Sequence, residues 1–303
     1  MAKLKRNAVP VTTIEQSVDM YLSHARNKNL SPITIDTYER HLKWAYLLLE
    51  EKPINQLVAN DLEQMLEHFQ EQHKYSIRSQ NNMRRYLNGW LRWCKFEKLI
   101  DHEIKLPYKK DTKKLQPVPT DAEMKRLLTK PDINRCTYNH YACWLVVNII
   151  ASTGLRIRSI AHIKKKDIDF DNNLIFISTM KNRTEQRVVL NRKLKRVLQE
   201  FLSTVECDSE YLLVDKYNKR FNEKTLSMNV IRYAREHGIE CSAHAIRRWN
   251  AVSSIKQGMS IYTLSKQLHH SSVQITQLYL ESITTENLKD ELRQYDPLDN
   301  LKG

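Results

Sequence analysis

Residues 107–119 separate two longer parts of the sequence and lack the helical spacing of apolar residues that both parts show. The segment, PYKKDTKKLQPVP, holds three prolines and four lysines and shows no apolar periodicity. Such a composition is typical of an extended, positively charged linker. Apolar residues recur at helical spacing on both sides of it, and 303 residues with 41% hydrophobic content are enough for two cores. We therefore predict one domain over residues 11–106 and a second over residues 120–303.

The first domain is predicted to be a small all-α helical bundle. Its apolar residues repeat every three or four positions in residues 13–26, in a segment opened by Ser31-Pro32, in a segment opened by Asn60-Asp61, and in residues 76–99. Short connections between such segments are typical of helix bundles.

The second domain is predicted to be mainly α-helical with a small β-hairpin, an α+β arrangement. Thr120 and Glu123 have the spacing of a capping box at the start of a helix. Residues 141–151 are apolar almost all round, as in a buried helix. Residues 174–179 and 187–190 have the pattern of two strands that a short hairpin joins.

The balance of charge indicates a polyanionic partner. Lys and Arg number 49 against 35 Asp and Glu, so the formal net charge is +14, and the basic residues are spread along the chain. A surface of this kind suits nucleic acid. A solvated helix face is the alternative for such arginines and lysines. The candidates for DNA contacts are Arg78, Arg84, Arg85, Arg92, Lys109 and Lys110.

The sequence carries no pattern for a membrane span or a secretory signal. No window holds about eighteen apolar residues, the minimum for a transmembrane helix. The start of the chain, MAKLKRNAVP, lacks the apolar core of a signal peptide. We therefore expect a cytoplasmic protein without a membrane partner.

The cysteines predict neither disulfides nor a metal site. There are five, an odd number without a Cys-x-x-Cys pair. Cys136 and Cys143, with His140 between them, could form part of a zinc site, but no fourth ligand lies at a usual spacing. We expect reduced thiols, no structural metal and no cofactor.

Cationic, imidazole and phenol side chains in the second domain suit chemistry at a phosphate. Arg156 follows Gly154, which allows a tight turn, and an arginine presents a planar fork to phosphate oxygens. His244 and Arg247 lie three residues apart and so share one face of a helix. Taken singly, each residue is more often part of a core or a surface, so the interpretation depends on their joint order. The other candidates are Lys181 in the hairpin, His270 and Tyr279.

These residues resemble the sequence blocks of the tyrosine recombinase (phage integrase) family. The blocks, in the family's order, are Thr153-Gly154-Leu155-Arg156, Lys181, His244-Ala-Ile-Arg247, Leu268-His269-His270-Ser271-Ser272 and Tyr279. Leu30-Ser31-Pro32 and the segment with Arg84, Arg85 and Trp90 resemble the family's core-binding domain more loosely. Since the helical domain begins near residue 11, the resemblance is to two-domain members such as Xer recombinases and mobile-element integrases, and no additional arm-binding domain is expected.

The resemblance implies a site-specific recombinase that cleaves and rejoins DNA without a metal or ATP. Tyr279 is the expected nucleophile, and it would form a 3′-phosphotyrosine intermediate. The other expected roles are binding of the non-bridging oxygens by Arg156 and Arg247, proton transfer by His244 and His270, and protonation of the departing 5′ hydroxyl by Lys181.

The partners that the resemblance implies are double-stranded DNA with paired recombination sites and further copies of the chain. Four protomers are expected to pass through a Holliday junction. The C-terminal segment, residues 285–295, is expected to be exchanged between protomers. Accessory DNA-bending or directionality proteins belong to the same expectation.

Two residues depart from the family pattern, and two other functions stay open. Ser159 stands where an acidic residue is usual, which is expected to weaken the support of Arg156. His269 replaces a glycine, which is expected to alter a turn. A DNA-binding protein without catalysis would bind in a salt-sensitive way and form no covalent product. An enzyme resembling type IB topoisomerases would relax supercoils as a monomer, without site preference.

Overall fold

A computed structural model of the chain describes residues 12–49, 52–111, 118–178, 185–269 and 272–280. Within these ranges the protein is mostly helical and has one small antiparallel sheet. Contacts divide the chain into two compact units, Met1–Lys113 and Lys114–Gly303. The predicted fold class, mainly α with a small β element, is confirmed.

Among its described residues, the first unit is a bundle of four helices with one 3₁₀ turn at Ile54–Gln56. The helices are α1 (Ile14–Asn27), α2 (Pro32–Leu48), α3 (Ala59–His73) and α4 (Ile77–Phe96). Ser31 caps α2 by accepting the N–H of Thr34, and Pro32 is the first helical residue, as predicted. Helix α3 begins one residue earlier than predicted because Asp61 accepts the N–H of Val58 at 2.9 Å and fixes the first turn.

Two asparagines hold the segment after α4 against that helix. The side-chain amide of Asn88 donates to the Leu106 carbonyl at 2.9 Å and accepts the Leu106 N–H at 2.8 Å. Asn81 makes the same pair of hydrogen bonds with Lys109, both at 2.8 Å. The first residues of the predicted linker are therefore attached to the bundle. Residues 112–117 lie outside the described ranges.

The second unit contains eight helices within the described ranges, together with a 3₁₀ turn at Lys165–Asp167. Thr120 and Glu123 form the predicted capping box at the start of the first of them. The helices are α5 (Asp121–Leu127), α6 (Tyr138–Thr153), α7 (Ile157–Ala161), α8 (Arg192–Thr204), α9 (Glu223–Glu236), α10 (Ala243–Lys256), α11 (Ile261–Gln267) and α12 (Val273–Leu280).

Three short strands form the sheet of the second unit. They are β1 (Ile168–Asp169), β2 (Leu174–Ser178) and β3 (Glu185–Val189), and each pairs with the next in antiparallel order. In the β2–β3 register, Phe176 lies opposite Arg187. The hairpin was predicted, whereas β1 was not, because a strand of two residues has no periodicity to detect.

Helix α6 is the centre of the second unit. Its residues from Tyr141 to Ile150 are all buried, as predicted for residues 141–151. The helix packs against α8, α9 and α10. Because α6 is fixed on several sides, the chain that leaves its C-terminal end starts from a rigid position.

Among the described residues, we looked for membrane-spanning helices, the state of the cysteines and groups of possible metal ligands. None of the helices in these ranges is long and apolar enough to cross a membrane. The five cysteines are free thiols, and burial raises the pKa of Cys94 and Cys143 to about 12 and that of Cys241 to about 11. Within the described ranges, no three His, Cys, Asp or Glu side chains are grouped so as to hold a metal ion.

Candidate active site

The end of α6 forms the first part of the candidate site. The helix is capped by Gly154, whose φ of +67° lies in the left-handed region that favours glycine. Leu155 is buried, and Arg156 then caps the short helix α7 from an extended conformation. The Arg156 side chain is exposed and makes no hydrogen bond or ion pair with a described residue. Its guanidinium is therefore open to an anion.

Two later parts of the chain pack against Gly154. A side chain at this position would place its Cβ 2.3 Å from Cδ2 of Leu268 and 2.7 Å from Oδ1 of Asn250. Asn250 lies on α10, and its side-chain amide donates to the Ala151 carbonyl at 2.8 Å. Three elements therefore pack closely together at Gly154, which has no side chain: the end of α6, helix α10 and the turn at Leu268.

Arg247 connects the same three elements through hydrogen bonds. It lies on α10 and is only 2% exposed. Its Nη1 donates to the Gly154 carbonyl, and its Nη2 donates to the Leu268 carbonyl at 2.8 Å. A buried charge requires partners of this kind, and two of them also fix the plane of the guanidinium. The backbone of two loops therefore sets the position of this charge.

His244 lies one turn before Arg247 on α10. Its pKa is lowered, first because part of the ring is desolvated, and then because of the positive charges of Arg248 and of the two site arginines, Arg247 and Arg156. Since an ordinary histidine has a pKa of about 6.5, His244 is neutral at pH 7. A neutral imidazole has one donor and one acceptor nitrogen, so it can pass on a proton.

Tyr279 lies on α12, of which the backbone but not this side chain is described. Helix α12 packs against α10 and α11. The backbone that carries Tyr279 is therefore adjacent to the helix that carries Arg247. Three other predicted features fall outside the described residues: Lys181, His270 and residues 285–295.

Ser159 lies on α7, three residues after Arg156, and has no carboxylate to offer it. The carboxylate of Glu223, on α9, pairs with Arg158 at 3.4 Å and lies 3.9 Å from a nitrogen of His162. Arg156 has no carboxylate partner among the described residues. Its position therefore depends on the backbone at the α6–α7 junction.

Three of the arginines predicted to contact DNA form one stripe on the first unit. Arg78, Arg85 and Arg92 follow each other at intervals of seven residues on α4, close to two helical turns, and all three are exposed. Arg85 stacks over the ring of Tyr86, and the Arg92 Nε donates to the Asn88 carbonyl at 3.3 Å. The backbones of the exposed Lys109 and Lys110 follow in the segment held against α4.

Arg84 does not belong to this surface, and its assignment as a DNA contact is corrected. It is 2% exposed, and its Nη2 donates to Oε2 of Glu63 on α3 at 2.6 Å. The sequence did contain a signal for this: at 3.6 residues per turn, Arg84 borders the apolar arc of α4 that Met83, Leu87 and Leu91 define. A buried, paired arginine of this kind supports the bundle rather than contacting a ligand.

The two kinds of arginine on α4 are expected to respond differently to alanine substitution. Arg84→Ala is expected to lower the free energy of unfolding by about 2 kcal/mol, because it removes the buried partner of Glu63. The loss is moderate because the Glu63 carboxylate is partly exposed and can be solvated by water. Arg85→Ala with Arg92→Ala is expected to leave the thermal unfolding curve unchanged and to weaken DNA binding with a salt slope reduced by about 2. Unchanged salt dependence in the double variant would remove the stripe from the DNA surface.

The fold and the site together fit one class of protein, enzymes that act on the phosphates of nucleic acids. Residues 118–286 match the model of the phage integrase family, and residues 18–98 match the phage integrase N-terminal SAM-like domain. The first match covers more than half of the chain. The chain belongs to the phage integrase family.

Proteins similar to this chain include recombinases and integrases. Tyrosine recombinase XerA of Thermococcus kodakarensis is 28% identical over 281 residues, which cover 90% of this chain and 93% of that protein. A Tn1549 transposon integrase in complex with circular intermediate DNA has the same fold, with a TM-score of 0.75 and 17% identity over 94% of this chain and 99% of that one. A lambda integrase tetramer bound to a Holliday junction gives a TM-score of 0.73 and 16% identity, over 90% and 78% of the two chains.

Proposed function

We propose that this protein is a site-specific recombinase that cuts and rejoins DNA through a 3′-phosphotyrosine. The observation that carries the proposal is the guanidinium of Arg247, fixed between the carbonyls of Gly154 and Leu268 on the helix against which α12 packs. With Arg156 open to an anion, this arrangement offers two cationic forks to one phosphate. Family membership and the similarity to XerA support the same function.

The proposed reaction needs a nucleophile, neutralisation of the phosphate charge and a proton for the leaving oxygen. The phenol oxygen of Tyr279 attacks the phosphorus while the bond to the 5′ oxygen breaks, and the phenol proton passes to a site histidine, His244 or His270. Arg156 and Arg247 stabilise the charge that develops on the non-bridging oxygens. The covalent bond keeps the energy of the broken phosphodiester, so the attack of another 5′ hydroxyl rejoins the strand.

Lys181 is proposed to protonate the departing 5′ oxygen. In sequence it lies between β2 and β3, and the segment that follows β3 is hydrogen-bonded to the end of α6. Asn191, two residues after the end of β3, donates its side-chain amide to Oγ of Ser152 at 2.7 Å, and Ser152 lies two residues before Gly154. This bond supports the placement of the hairpin beside the scissile phosphate.

The proposed substrate is double-stranded DNA with paired sites, bound by four copies of the chain. The lambda integrase tetramer on a Holliday junction supports this assembly by analogy of fold. We assign residues 11–106 to a core-binding domain, residues 107–119 to a linker and residues 120–303 to a catalytic domain. Exchange of residues 285–295 between protomers, accessory DNA-bending or directionality proteins and a cytoplasmic location stay predictions.

Tyr279→Phe is expected to abolish covalent attachment to DNA, because the substitution removes only the nucleophilic oxygen. Wild-type protein is mixed with labelled, nicked fragments of the DNA that flanks its own gene, and adducts are separated on a denaturing gel. The matched control is Tyr262→Phe, at an exposed tyrosine of α11, which is expected to form the adduct like the wild type.

Three results of this experiment would argue against the proposal. An adduct with Tyr279→Phe would mean that another side chain is the nucleophile. Binding without any adduct by the wild type would favour a DNA-binding protein without catalysis. Relaxation of supercoiled DNA by a monomer, without preference for a site, would favour an enzyme resembling type IB topoisomerases.

A further inference from the structure

The residue after Leu268, His269, has a left-handed backbone conformation. His269 has a φ of +51°, in the left-handed region that glycine, and to a lesser extent asparagine, adopts readily. Its N–H donates to the Lys266 carbonyl at 3.0 Å and closes the turn after α11. Lys74 and Lys98 adopt the same region in this chain, so the turn tolerates a side chain but does not itself call for an imidazole.

The imidazole of His269 is half-buried and unsatisfied. Its Nε2 is inaccessible to solvent and has no hydrogen-bond partner. A buried polar atom without a partner destabilises a folded protein unless something binds there. The Leu268 carbonyl just before this residue accepts from Arg247 at 2.8 Å, and the charges of Arg247 and Arg156 act on the ring, so the imidazole lies near the two site arginines.

The charges around His269 are positive. Its pKa is lowered, first by burial and then by Arg247 and Arg156, which are the two site arginines. The pKa of His244 is also lowered, first by burial and then by the charges of nearby arginines. Since an ordinary histidine has a pKa of about 6.5 and the pKa of His269 is lowered, its ring is neutral at pH 7. A neutral ring can place its one N–H on Nε2 and donate it to an anion that the arginines attract.

We infer that His269 is a ligand of the scissile phosphate, with Nε2 donating a hydrogen bond to a non-bridging oxygen beside the two site arginines. This inference rests on the proposed function of the site. It gives the orphaned nitrogen a partner only when the phosphate is present. It also accounts for an imidazole in a turn that does not itself call for one. In this role His269 is a catalytic residue, because it touches the reacting group.

The experiment compares a normal nicked substrate with one that carries a methylphosphonate at the scissile position. A methylphosphonate replaces one non-bridging oxygen by a methyl group and removes the negative charge. The variants are His269→Asn and His269→Gly, two residues that adopt a φ near +51° readily, so that the turn is preserved. The control is His237→Asn, at a histidine that packs against Tyr233 and not against the site arginines.

Loss of the phosphate ligand is expected to slow adduct formation at least tenfold on the normal substrate and less than twofold on the methylphosphonate diastereomer that lacks the oxygen contacted by His269. DNA affinity and the control variant are expected to stay as in the wild type. Equal slowing on the normal substrate and on both methylphosphonate diastereomers, or no slowing on any of them, would overturn the inference while the wild-type adduct still supported the proposed function. Absence of any wild-type adduct would instead refute the proposed function, and the inference with it.

Discussion

Arg247→Lys is expected to slow formation of the covalent DNA adduct by about a thousandfold, the upper range for losing one donor that stabilises a developing oxyanion. Lysine keeps the positive charge, but its three donors share one nitrogen, whereas Arg247 bonds the Gly154 and Leu268 carbonyls from two separate nitrogens of a planar group. The charge therefore remains while its position is lost. Single-turnover rates on nicked DNA measure the effect.

Stability has to be measured together with activity in this variant. One buried carbonyl is left without its partner, which is expected to cost about 1–3 kcal/mol of unfolding free energy. Arg126→Lys is the matched control, because the Arg126 Nη1 also donates to a backbone carbonyl, that of His237 at 3.2 Å, but on the surface. A rate close to that of the wild type for Arg247→Lys would show that the arrangement of the guanidinium is not required.

Gly154→Ala is expected to lower the free energy of unfolding of the second unit by about 3 kcal/mol. The left-handed φ of +67° accounts for about 1–2 kcal/mol with any L side chain, and overpacking against Leu268 and Asn250 adds about 1–3 kcal/mol. For a unit of this size the midpoint of thermal unfolding falls by about 6–12 °C. Calorimetry measures it, and adduct formation is expected to be lost as well, since the Gly154 carbonyl positions Arg247.

Gly238→Ala separates the two contributions. Gly238 has a φ of +69°, but the nearest atom to an added Cβ is Nη1 of Arg126 at 3.8 Å, an ordinary contact. This control is expected to lose only about 1–2 kcal/mol and to keep full cleavage activity. Equal destabilisation of the two variants would mean that the contact between Gly154, Leu268 and Asn250 is looser than the structure describes.

The parts of the fold that local sequence determines were predicted well. The cap at Ser31, the capping box at Thr120 and Glu123, and the buried helix over residues 141–151 depend on residues within one or two turns of each other. Such features follow from which backbone groups need partners and which faces are apolar. The short strand β1 carries too few residues for a pattern of this kind.

The candidate site was predicted as an order of residues and not as a geometry. Arg156, His244 and Arg247 were identified by type and spacing, yet nothing in the sequence shows that Arg247 bonds a carbonyl 93 residues away. His269 was recognised only as a departure from a family pattern, because its φ and its orphaned nitrogen exist only in the folded chain. Contacts between distant segments depend on the packing of whole elements, which composition and periodicity do not encode.

Because Leu268 and Asn250 pack closely against Gly154, substitutions at these distant positions of the sequence depend on one another. A larger residue at 154 is tolerable only if Leu268 and Asn250 shrink or move, and any such shift displaces a carbonyl that holds Arg247. Changes at these four positions therefore have to be concerted, and a lineage that alters one of them must pass through an impaired intermediate or acquire several substitutions at once. The same constraint makes the junction a poor place for gradual change, which exposed positions such as the arginine stripe of α4 accommodate more easily.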